Sequence, residues 1–177
     1  RLRSPQPEFV HMHASAQKIH AFTHAALRSC LDVASWLMPE DDATVGAAEG
    51  VHECAELLCA SLGFRGYTLC AEVPAMDGQV RRAAIRGVLT AALIQCTGDR
   101  APPGEVNQRA RATVDALEVT LAVAPSQAGA ADPSGPAYRP LEWADVQALA
   151  AAEAVQASRP EATRVVLGFP WVIPAQI

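Results

Sequence analysis

From Glu8 to Met38 the chain contains neither proline nor glycine. A run of about 31 residues without a helix breaker is long for a globular domain and reads as one continuous helix. Two adjacent apolar stripes follow the helical period. One is Phe9, Met12, Ala16, Ile19, Phe22, Ala26, Cys30, Val33 and Leu37. The other is His13, His20, His24, Leu27, Leu31 and Met38. Together they form a face too broad for a single packing partner. Pro39 breaks the run, and the acidic Glu40-Asp41-Asp42 suits the start of a following helix. Residues 43–62 read as that helix, with Val45, Ala48, Val51, Ala55, Leu58 and Leu62 at helical spacing and Gly63 beyond them. Two helices joined by a short turn make a hairpin. Two such hairpins bury their broad faces in a dimeric four-helix bundle.

The pattern changes after Gly63. Tyr67–Val73 reads as a strand stopped by Pro74, and Gln79–Cys96 as an apolar helix with Val80, Ala84, Val88, Ala91, Ala92 and Gln95 on one stripe. Residues 105–113 and 117–124 alternate about a short turn, as a hairpin does. Residues 125–137 are rich in proline, glycine, serine and alanine and read as a loop. Trp143–Ala157 is an amphipathic helix, and residues 164–173 hold a last strand or two. The fold class is therefore α+β: a hairpin domain over 8–62, then a small α/β sandwich over 63–177.

Half of the 177 residues are apolar and 19% are charged, which supplies a core and argues against wholesale disorder. A net charge of −5 offers no electrostatic footprint for nucleic acid. No apolar run approaches the ~20 residues of a membrane helix. With no signal-peptide pattern and an opening at Arg1, the chain is expected to be a cytoplasmic fragment or processed product. Five cysteines at 30, 54, 59, 70 and 96, with no Cys-x-x-Cys pair, read as reduced and mostly buried thiols.

The order of elements resembles the histidine-kinase core, a dimerising hairpin followed by a GHKL-type ATPase sandwich. The stretch Arg86-Gly-Val-Leu-Thr-Ala-Ala-Leu-Ile-Gln-Cys-Thr-Gly-Asp99 resembles that family's N-box helix. Leu117–Val123, Tyr138–Gln147 and Val165–Pro170 resemble its later segments in order and spacing. The departures concern nucleotide. The N-box asparagine that holds magnesium falls at Gln95, and the earlier one at Ala91. Where the adenine-reading aspartate-glycine box should stand, the chain has Ala124-Pro-Ser-Gln-Ala-Gly129, and the glycine-rich lid is missing. This combination resembles the ChpT-like histidine phosphotransferases, which pass phosphate between receiver domains through one histidine and bind no nucleotide.

All five histidines, at 11, 13, 20, 24 and 52, lie in the first 52 residues. The resemblance implies several turns of helix between the phospho-acceptor and the hairpin bend. His20 fits that distance to Pro39, and His24, one turn nearer, is the runner-up. Alanine follows His20 where the family usually has an acidic residue. Arg28 stands in line to orient the ring or meet phosphate. His20 and His24 also have the i, i+4 spacing that binds zinc, with His13, His52 or Cys54 as a third ligand, but no H-E-x-x-H pattern is present, and no metal site is expected. The reading is a homodimeric histidine phosphotransferase with response-regulator receiver domains as partners. It has no cofactor of its own, and magnesium comes only through the receiver. The alternatives are a non-catalytic dimeric interaction module and an atypical sensor-kinase core.

Overall fold

The computed structural model describes residues 7–36, 43–98, 100, 102–125 and 140–172. The chain divides into two units, Arg1–Met38 and Pro39–Ile177. In the first, α1 (Pro7–Trp36) is the single uninterrupted helix that the breaker-free run dictates. Its described side chains are exposed, among them Ile19, Phe22, Leu27 and Leu31.

The second unit is built on alternation. Along β4 (Gly104–Ala112), residues 104, 106, 108 and 110 are buried while 105, 109 and 111 are exposed. This is the period of a sheet packed on one face and wetted on the other. The strands β2 (Tyr67–Glu72), β4, β5 (Ala116–Pro125), β7 (Arg164–Pro170) and β6 (Gln156–Glu161) lie in that order across the sheet. β2 and β4 are parallel and every other pairing is antiparallel. The parallel pair requires a crossover. It is supplied by α3 (Arg82–Ala84), a π-helical stretch Ile85–Leu89 and α4 (Thr90–Gly98). A small separate sheet pairs β1 (Thr44–Gly46) with β3 (Gln79–Arg81).

The helix expected over 43–62 is α2 (Ala47–Phe64), which begins after the short strand β1. Its apolar face of Val51, Cys54, Ala55, Leu58 and Leu62 is buried, and α2 packs on β2 and on the π-helical stretch. The approach is close: a Cβ on Gly50 would stand 3.1 Å from Ile85 of the π-helical stretch and 2.9 Å from Val45. The apolar face assigned to a bundle is thus spent on the α/β unit. Among the described residues the first unit shows one helix, α1. The core holds Leu89, Leu93, Leu117, Leu121, Leu167 and Phe169, all fully buried.

α5 (Trp143–Ala152) starts on a capping box, in which Asp145 Oδ2 accepts from the Glu142 backbone N–H at 2.9 Å. It ends five residues before the expected Ala157 because Ala154 takes a left-handed φ of 57°. The chain then enters β6, a strand carrying Pro160 that its polar sequence conceals.

Candidate functional site

His20, His24 and Arg28 lie on consecutive turns of α1, and all three are exposed. The His20 and His24 rings stand 4.4 Å apart between centroids at 74° to one another. The helical spacing of four produces that approach. Residues 37–42, where the bend after His20 was expected, lie outside the described residues. What remains is accessibility: each imidazole is open to a partner. His52 is exposed on α2 and Cys54 is buried there, so neither lies on the same unit as the pair. The side chains of His11 and His13 lie outside the described residues. Among the described residues, no group of three or more side chains is arranged to hold a metal ion.

The N-box-like segment is the crossover helix. Ala91 and Gln95 are both buried, Gln95 at 1% exposure. Both stand among the buried residues of α4. Residues 126–139, including Asp132, lie outside the described residues, as do Asp41 and Asp42.

The arginines at the head of this helix are engaged in ion pairs. Arg86 Nη2 is 3.2 Å and Arg82 Nη2 3.7 Å from the Glu53 carboxylate, and Arg81 Nη1 is 3.2 Å from Glu153. Glu53 on α2 therefore ties the two helices together, a partner that spacing alone does not reveal. Next to it the Cys54 thiol donates to the Ile85 carbonyl at 3.6 Å, and burial pushes its pKa up to about 12. Cys96 is also buried, but Cys30, Cys59 and Cys70 are exposed, which corrects the expectation of mostly buried thiols. At the far end of α4 the Tyr67 hydroxyl lies 2.9 Å from the Thr97 carbonyl and 2.6 Å from that of Arg100. Arg65 adds a bond to the Thr97 carbonyl at 3.2 Å, so that the last turn of the helix is capped by side chains. Trp171 is a structural anchor: its indole N–H donates to the Thr113 carbonyl at 3.1 Å.

On the solvent face of the sheet a groove of about 750 Å³ crosses β5, β7 and β6, lined by Glu118, Gln156, Ser158, Val166 and Gly168. Gln108 points the other way, into the packed face, where it is fully buried and neither side-chain polar atom has a hydrogen-bond partner. Its place was readable from the alternation of β4. Its lack of partners was not.

No protein-family model and no curated protein matches the sequence. Solved structures do match, and they define the fold: that of histidine-kinase catalytic domains. The Acinetobacter baumannii histidine kinase AdeS superposes with a TM-score of 0.54 at 12% identity, over 96% of this chain and 87% of that one. The ATP-binding domain of PrrB from Mycobacterium tuberculosis gives 0.51 at 17% identity, over 76% of this chain and 100% of its own. The histidine kinase ThkA, in complex with the response regulator protein TrrA, gives 0.53 at 15% identity, over 98% of this chain and 55% of that chain. Among the described residues, no helix is long and apolar enough to cross a membrane.

Proposed function

We propose that this chain works in two-component signalling as a histidine phosphotransferase, taking phosphate from a receiver domain onto His20 and passing it on without ATP. The observation that carries the reading is the pairing of a histidine-kinase catalytic fold with buried Ala91 and Gln95 where the nucleotide's magnesium ligands are expected. In the transfer, a neutral ring nitrogen of His20 attacks the phosphorus of a receiver's aspartyl phosphate. The nitrogen–phosphorus bond forms as the phosphorus–oxygen bond breaks, and the aspartate leaves as carboxylate. The phosphorylated receiver supplies the magnesium ion that screens the phosphoryl charge. His24 borders the attacking ring, and Arg28, one turn further, is placed to meet a phosphoryl oxygen. ThkA's complex with a response regulator supports a receiver as partner, and the exposed Leu27 and Leu31 support pairing of two copies along α1.

The test is calorimetry with magnesium-ATP. No heat of binding is expected at millimolar nucleotide. A micromolar dissociation constant would overturn the proposal in favour of an atypical kinase. A second reading, a non-catalytic interaction module, is favoured by the exposed apolar side chains Ile19, Phe22, Leu27 and Leu31 of α1.

A further inference from the structure

We propose that His20 and His24 form half of a transition-metal site that a second copy of this chain completes. The two residues lie on the same face of α1 as Leu27 and Leu31. At 3.6 residues per turn, all four fall within an arc of about 60°. Their spacing of four, three and four is that of successive core positions in a two-stranded coiled coil. The apolar half of this seam is unpartnered, with Leu27 55% and Leu31 61% exposed. The polar half is a pair of imidazoles with centroids 4.4 Å apart, near enough for both to reach one ion at the usual nitrogen–metal distance of about 2.0–2.1 Å.

The occupant is a second α1, for two reasons. A seam of leucines at core spacing is complementary to itself. A two-histidine site is also two ligands short of a tetrahedron, and among the described residues of this chain no third ligand is grouped with the pair. In a parallel pairing, equivalent positions face each other in the same layer. His20 then meets His20 of the second copy, and His24 meets its counterpart one layer on, so that four imidazoles surround a single ion. Imidazole suits zinc, copper and nickel, and a four-nitrogen tetrahedron favours zinc. The proposal does not rest on phosphotransfer. If both hold, zinc and phosphoryl group compete for the same ring nitrogen, and metal loading acts as a brake on the transfer.

The experiment titrates zinc ion into the full chain by calorimetry and follows the mass by light scattering, with and without chelator. Wild type is expected to bind one zinc per two chains and to have the mass of a dimer when loaded. His20→Ala and His24→Ala should each weaken binding at least tenfold. Both substitutions are exposed helix positions where alanine favours the helix, and circular dichroism confirms that the fold is kept. Binding unchanged in both variants, or absent at 100-fold excess of zinc over chain, would overturn the site. One zinc per monomeric chain would overturn its sharing between copies.

Discussion

Replacing Gln108 by methionine should stabilise the protein. Gln108 is fully buried at the middle of β4, and both its Oε1 and its Nε2 lack hydrogen-bond partners. In the unfolded chain water satisfies both atoms, so folding loses those bonds without replacement. Leaving such a group unpaired costs about 1–3 kcal/mol. Methionine has nearly the same length and volume, adapts its rotamer to the space, and carries no strong polar atom. The expected gain is therefore about 1–3 kcal/mol, and at about 2–4 °C per kcal/mol for a chain of this size the melting temperature should rise by about 2–12 °C. The assay is urea denaturation alongside thermal melting, with Gln147→Met as control, since Gln147 is exposed on α5. A fall in stability on replacing Gln108, or no change within error, would refute the reasoning: the carboxamide would then have partners that offset its burial.

Ala154→Gly should raise stability by about 0.5–1 kcal/mol, because φ of 57° strains a residue with a Cβ and suits glycine. A loss of stability in denaturant melts would contradict that assignment. Thiol titration at pH 8 should modify Cys30, Cys59 and Cys70 quickly, with Cys54 and Cys96 reacting only on unfolding. Fast reaction of all five would be inconsistent with the packing of α2. Because burial raises the Cys54 pKa from 9.0 to about 12, its contribution to stability is intact below about pH 9 and declines as pH rises towards 12. Melts between pH 8 and 11 should show an alkaline decline that is weaker in Cys54→Ala.

Strand alternation and helical period carried most of the fold into view, because both record burial directly. Ala84, Val88, Ala92 and Gln95 are buried as their spacing requires, but Val80 belongs to β3, so the helix expected from Gln79 starts only at Arg82. Periodicity was silent where one apolar face had two possible partners. α2 carries a broad stripe that fits a neighbouring helix as well as a sheet, and periodicity does not say which. β6 was hidden by its polar residues and Pro160, and the end of α5 by an alanine in a conformation that usually signals glycine. At the candidate site, the residues on α1 were legible as a histidine pair. Their role was not, since the distance rule borrowed for His20 rests on a bend expected at residues 37–42, which lie outside the described residues. The burial of Gln95 was implied by its stripe, and its consequence for nucleotide appears only once the helix is seen against the sheet.

The most direct measurement of the central claim is phosphotransfer from a radiolabelled receiver domain to the wild-type chain, His20→Ala and His24→Ala, in magnesium and without nucleotide. The account predicts acid-labile, base-stable label on wild type and on His24→Ala, and none on His20→Ala. Label that persists on His20→Ala, or no label on any of the three across a panel of receivers, would contradict it.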